Sequence, residues 1–227
     1  GGRVRVYIPD RIKEGYGPNA AALLKLRDEG ASLVVTVDCG TTAHAPLAEA
    51  AKAGIDVVVI DHHAAEPKLP DAFAVVNPNR LDEASPHRQL AAVGVAFLLA
   101  VAANRSLRQD GWFATRAEPN LLELLDLVAL GTVCDVVPLT GLNRVLVAQG
   151  LKVIGQRRKA GLGALAEVAR VEQRCGTCHL GFLLGPRVNA GGRVGSADLG
   201  TRLLTTDDPH EARALAVRLD ELNRERQ

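Results

Sequence analysis

The chain has 227 residues, 47% of them hydrophobic and 23% charged, an ordinary balance for a globular protein long enough to bury a real core. That excludes a disordered tail, a collagen-like repeat and a disulfide scaffold, because four cysteines are too few to staple a chain of this size. Lys and Arg number 27 against 26 Asp and Glu, and the net charge of +1 argues on its face against a strongly basic nucleic-acid binder.

Val4 to Ile8 alternates apolar and polar residues and stops at Pro9, which predicts a strand with one face more exposed than the other. Asn19 can cap a helix from about Ala20 to Glu29 that ends at Gly30. Leu33 to Val37 is a continuous β-branched run, as expected of a strand covered on both faces, and Ile55 to Ile60 is a second. Between them, Ala43 to Ala53 reads as an Ala-rich helix stopped by Gly54. Alternating strands and helices with short connections predict an α/β fold, doubly wound around a mainly parallel sheet.

After residue 61 come a Pro-rich loop, a short strand near Ala74 to Val76, and helical segments at about 90–108 and 120–130. The region from Asn143 to Arg170 reads as helices broken at Gly150, Gly155 and Gly161, followed by a glycine-rich stretch from Gly185 to Gly195. A last helix is signalled by Asp208 as cap and Pro209 at its first position, with apolar residues at 212, 215, 216 and 219. It carries no stop signal before Gln227, so the expectation is a helix that continues into a further domain and a chain that is a fragment of a longer protein. Its parts are an α/β domain over 1–140 and a mainly helical continuation over 141–227.

Aromatic residues make up 3% of the chain, so stacking platforms for bases are scarce. The longest apolar stretch, Leu90 to Ala103, is shorter than a membrane span. With no start resembling a signal peptide, a reducing cytoplasm is the simplest setting.

In an open parallel sheet, ligands sit beyond the carboxyl ends of the strands. The run to Val37 leads into Asp38-Cys39-Gly40, and the run to Ile60 leads into Asp61-His62-His63. A third acid, Asp135, follows the apolar segment Val128 to Cys134 in the same manner. Neighbouring strands lie about 4.8 Å apart, so if these two strands are neighbours Asp38 and His62 can reach one ion. Carboxylate oxygen mixed with imidazole nitrogen suits Mn²⁺, Mg²⁺, Zn²⁺ or Fe²⁺. An acid after a strand is otherwise a cap or a turn former, and paired histidines are otherwise surface residues. Three costly polar groups directly after a buried strand resist that reading.

These motifs, in order, with Val133-Cys134-Asp135-Val136-Val137-Pro138, resemble the DHH phosphoesterase superfamily. Pro9-Asp10-Arg11, Glu14 to Gly17, Val76 to Asn79 and Gly185 to Arg193 make the chain similar to the RecJ-type branch, single-strand-specific 5′→3′ exonucleases of bacterial recombination and repair. The resemblance implies a two-metal phosphodiesterase using Mn²⁺ or Mg²⁺ on single-stranded DNA, with a single-strand-binding protein and a helicase as further partners. It implies Asp38, His62 and Asp135 as metal ligands. His63 would ligate metal or touch the scissile phosphate, with Asp61 orienting the histidines. Arg187, Asn189, Arg193 and Arg11 would hold substrate phosphates. The family's first aspartate motif lies upstream of Val4 and has no match here, so the metal site is expected to be incomplete and the fragment weak or inactive.

Three other readings compete. Gly15 to Ala20 fits G-x-G-x-x-A with Asp38 as a ribose-binding acid, but six residues separate strand and first glycine, and Asp61-His62-His63 stays unexplained. Cys175-Gly176-Thr177-Cys178-His179 fits the haem-attachment pattern, which the absence of methionine as an axial ligand makes a coincidence, so no haem is expected. Within the superfamily, a pyrophosphatase or a small-oligonucleotide phosphodiesterase is the nearer alternative. Charge by region bears on the nucleic-acid question. Residues 1–140 hold 13 basic and 17 acidic side chains, net −4; 141–195 hold 9 and 2, net +7; and 196–227 hold 5 and 7, net −2. Near-neutrality averages a metal-binding half against a phosphate-binding one.

Overall fold

The structure is a computed structural model that describes residues 3–11, 13–172, 174–194 and 196–226, with the side chains of Arg193 and Val194 outside the description. The chain forms two compact units. One comprises residues 17–150, and the other joins the residues up to Tyr16 with those from Leu151 onward. The units part between Gly150 and Leu151, inside a helix.

The first unit carries α1 (Ala20–Asp28), β1 (Leu33–Val37), α2 (His44–Lys52), β2 (Asp56–Ile60) and β3 (Ala74–Val76). All three strands are parallel in the order β1-β2-β3, with Val37 opposite Ile60 and Ile60 opposite Val76. Asn19 caps α1 by accepting from the Ala22 amide at 2.8 Å. Leu23, Leu47 and Ala50 from the helices pack on Val57, Val59 and Val75 of the sheet. Each such Leu or Val contributes about 1.5–3 kcal/mol by leaving water. The parallel α/β expectation therefore holds for this unit.

Two strand expectations change. β1 is not covered on both faces: Leu33, Val35 and Val37 are 55%, 47% and 57% exposed. A continuous apolar run gives the strand its type, but whether both faces are covered depends on what packs there. Val4 to Ile8 is not a strand, and Val4 is 92% exposed. Alternation is only half the condition, since a strand needs a neighbour to take its amides and carbonyls, and none pairs with this segment among the described residues.

The first unit continues with α3 (Ala92–Gln109), α4 (Leu125–Cys134) and α5 (Gly141–Gly155), which crosses into the second unit. Gly150 does not break α5. A Cβ there would lie 2.1 Å from the Leu125 carbonyl oxygen and 2.5 Å from the Ala129 Cβ, so the glycine lets two helices touch. The second unit holds α6 (Ala160–Val168), α7 (Thr177–His179), a π-helical turn (Leu180–Leu184), α8 (Gly185–Val194), α9 (Leu199–Thr205) and α10 (Pro209–Glu225). Gly161 likewise lies within α6, with room for a Cβ taken by the Leu203 carbonyl, whereas Gly155 does end α5. The glycine-rich stretch from Gly185 is helical, and α10 packs against it as well as against α6 and α9. Asp208 caps α10 with Pro209 at its start, as its sequence signals require.

Candidate metal centre

The sheet register brings the strand ends into line. The Asp38 amide donates to the Ile60 carbonyl at 2.9 Å and the Asp61 amide to the Val76 carbonyl at 3.1 Å, so Asp38, Asp61 and Asn77 leave adjacent strands side by side. Asp38 has a left-handed φ of 62°, and Gly40 follows at 115°. A Cβ at Gly40 would lie 2.8 Å from Thr36 Oγ1 and 3.2 Å from Val59, so the turn that aims Asp38 requires glycine there.

Asp61 is 1% exposed and does not point outward. Its Oδ1 accepts from the His62 amide at 2.8 Å, the His63 amide at 3.3 Å and His63 Nδ1 at 2.7 Å, and its Oδ2 accepts from the Thr41 amide at 3.0 Å. Burial pushes its carboxyl up, but bonds from His63, Thr41 and His62 outweigh it and hold the group below its ordinary value. Because a carboxylate only accepts, His63 carries its proton on Nδ1 and presents Nε2 from a half-exposed ring.

His62 is oriented from its other side. Its Nδ1 lies 3.1 Å from the Leu90 carbonyl, which can only accept, so Nδ1 holds the proton and Nε2 carries the lone pair. Nε2 is buried and has no hydrogen-bond partner among the described residues, yet Asp38 Oδ1 stands 3.3 Å and Asp135 Oδ2 3.4 Å away. Adjacent donors on an octahedral cation with bonds of about 2.1 Å lie about 3 Å apart, so this spacing fits a shared divalent ion. Ligand atoms of Asp38, His62 and His63 also lie within 4.8 Å of one another. Asp38 pulls the His62 imidazolium up against burial, with Asp135 adding to the pull, while burial raises Asp135 itself. Two acids around a basic imidazole is an arrangement that a cation neutralises.

Asp135 arrives differently from the sequence expectation. The segment before it is the helix α4, with Asp135 as its C-cap, so the third acid comes from a helix end rather than a strand end. Asn77 and Asn79 complete the scaffold. Asn77 Nδ2 donates to Thr41 Oγ1 and to the His63 carbonyl, both at 2.9 Å, and Asn79 Nδ2 donates to the His62 carbonyl at 2.5 Å. The rule that found Asp38 and Asp61 also finds Asn77, since it too follows a strand and is 3% exposed. Thr41 and the Leu90 carbonyl leave no comparable trace in the sequence.

A family model described as DHH family, N-terminal domain, matches residues 1–132. The chain belongs to the DHH family. Within it, the chain is 48% identical over 231 residues to the single-stranded-DNA-specific exonuclease RecJ of Dickeya dadantii (strain 3937), covering 100% of this chain and 40% of that protein. It is 47% identical over 223 residues to the protein of the same description from Escherichia coli (strain K12), covering 96% of this chain and 39% of that one. A crystal structure of exonuclease RecJ bound to manganese superposes with a TM-score of 0.84 at 39% identity, over 97% of this chain and 54% of that one. The DHH chain described here thus spans about 40% of the length of these curated relatives.

The remaining expected site residues lie in the other unit. Arg187 on α8 donates Nε to Asp220 Oδ1 at 2.8 Å and Nη1 to the Leu183 carbonyl at 2.7 Å, and Arg224 shares Asp220. Asn189 is exposed on the same helix, and the Arg193 side chain lies outside the described residues. Arg11 stacks over the Tyr16 ring at 5.5 Å. In the haem-like run, His179 Nδ1 accepts from the Gly176 amide at 3.0 Å and so caps the short helix α7. No helix is long and apolar enough to cross a membrane among the described residues.

Proposed function

We propose that this chain is the metal-binding core of a longer exonuclease that hydrolyses single-stranded DNA from its 5′ end with Mn²⁺ or Mg²⁺, in repair and recombination. The observation that carries this reading is the buried, unpartnered Nε2 of His62 facing Asp38 and Asp135. The names of the relatives support the substrate. In this reading the α/β part up to about residue 140 supplies metal ligands, and the helical continuation leads to the rest of the protein. A cytoplasmic setting, with a single-strand-binding protein and a helicase as partners, belongs to the same proposal.

His62, Asp38 and Asp135 hold the cation, with His63 as a further ligand or a contact to the scissile phosphate. Bound divalent metal supplies a Lewis acid for the phosphoryl oxygen and a water acidic enough to attack near neutral pH. Asp61 fixes the proton of His63 on Nδ1, which keeps Nε2 available, and the Leu90 carbonyl does the same for His62. Asn189, Arg193 and Arg11 bind substrate phosphates. Arg187 keeps Nη2 and one N–H of Nη1 for that purpose, since its Nε–H and the other Nη1 N–H hold Asp220 and Leu183.

The test incubates the full-length protein with 5′-labelled single strands and duplexes, in Mn²⁺ and in EDTA. Cleavage of single strands in Mn²⁺ alone is expected. Equal cleavage in EDTA overturns the metal mechanism, and equal cleavage of duplex overturns the strand preference.

A further inference from the structure

Positive charge between 141 and 195 is not centred on the glycine-rich helix. Six of its nine basic residues lie between 152 and 174, where Glu167 and Glu172 are the acids. In the second unit this stretch lines a half-open cleft of about 500 Å³. Its floor is apolar, with Ile154, Leu162, Ala166 and Val171 each at most 8% exposed. Its rim carries Lys152, Arg157 and Arg174 against one acid, Glu172.

The rim arginines differ from five others of this unit, which acids hold. Arg187 and Arg224 share Asp220, Arg202 pairs with Glu211, Arg213 with Glu167 and Arg218 with Glu221. Among the described residues, Arg157 and Arg174 have no carboxylate partner. Arg157 gives one N–H to the Val171 carbonyl at 3.2 Å, which ties the turn after α5 to the far wall of the cleft. It does so from a left-handed backbone, φ 49°, a conformation that persists where surroundings or function over-determine it. Exposed guanidiniums without acids, set over an apolar floor, suit a ligand with an anionic end and a flat apolar body.

We propose that this cleft binds a nucleoside phosphate, with the phosphate on Arg157 and Arg174 and the base against Leu162 and Val171. The substrate class rests on the nucleic-acid reading above. That chemistry arrives either as a nucleotide within a single strand or as a free nucleoside 5′-monophosphate.

The test measures binding of a short labelled oligothymidylate by anisotropy, and of thymidine 5′-monophosphate by calorimetry. It uses the full-length protein in EDTA over a range of salt. Arg157→Asn keeps a residue that tolerates the left-handed backbone, Arg174→Gln removes the second charge, and thermal melts confirm that both fold. Each variant is expected to weaken binding roughly threefold to tenfold and to flatten the salt dependence by about 0.7 per arginine. Weakening for the oligomer alone assigns the cleft to the strand, and weakening for both probes assigns it to the free nucleotide as well. Unchanged affinity and salt slope in folded variants overturn the cleft alone if metal-dependent cleavage persists. Wild-type protein that binds neither probe overturns the nucleic-acid reading with it.

Discussion

The Nδ1–H of His62 donates to the carbonyl of Leu90, 28 positions along the chain, and this bond decides which ring nitrogen faces the acids. His62→Ala should lower Mn²⁺ affinity by more than the roughly 10- to 100-fold that loss of a supporting group costs, and should abolish strand cleavage. Titration of Mn²⁺ into the full-length variant checks this, and wild-type affinity would remove His62 from the ligand set. The ring's proton affinity is raised, chiefly by Asp38, so metal affinity should be fully present at higher pH. It should fall as pH drops through a value above the usual imidazole range, about 6.5.

Asp61 is the hub of both histidines, and Asp61→Asn replaces an acceptor of four hydrogen bonds with a group that is half donor. Loss of roughly 1.5–3 kcal/mol in folding stability is expected from a bond to the charged group, with Mn²⁺ affinity down about 10- to 100-fold. The sign with pH follows from the lowered carboxyl. Its stabilisation is present above the unfolded value of about 3.9 and is lost as pH falls through the folded one. Urea unfolding of metal-free protein between about pH 3 and pH 6 should show that acid loss in the wild type and a shallower one in the variant.

Gly150→Ala should destabilise by about 1–3 kcal/mol or more, because its Cβ would meet backbone rather than a side chain that can turn away. Gly192→Ala, on α8 with nothing within 4 Å of the added atom, should instead gain up to about 1 kcal/mol from helix propensity. Thermal melts of the two variants should move in opposite directions.

Val136 holds φ 60° directly after Asp135 and is 87% exposed, so a β-branched side chain sits in a left-handed backbone with little burial in return. Val136→Gly should raise stability by about 1–2 kcal/mol, or about 2–4 °C per kcal/mol for a chain of this size. A calorimetric midpoint that stays put or falls would show that contacts of the valine outweigh its backbone strain.

Local signals made most of the candidate metal centre legible. Asp38 and Asp61-His62-His63 stand out because polar groups directly after apolar strands mark the sheet's ligand-binding end, and the two β-branched runs before them do form paired strands. Asp135 was found by resemblance and by the apolar run before it, but that run is a helix. Hydrophobicity alone does not separate a short buried helix from a strand. Glycine misled for a related reason. At Gly150 and Gly161 it marks a close approach between segments distant in sequence, and a one-dimensional reading sees only a residue that favours turns.

Residue types and their order are a property of the chain, so the acids, the histidines, the parallel α/β class of the first unit and the caps of α1 and α10 could be read without coordinates. Partnership is a property of the packed chain. The register that sets Asp38 beside Asp61, the Leu90 carbonyl that selects the His62 tautomer and the Asp220 carboxylate that occupies Arg187 all join positions far apart in sequence. Hydrogen bonds and ion pairs act over about 3 Å, and no local pattern records which distant residue will come that close.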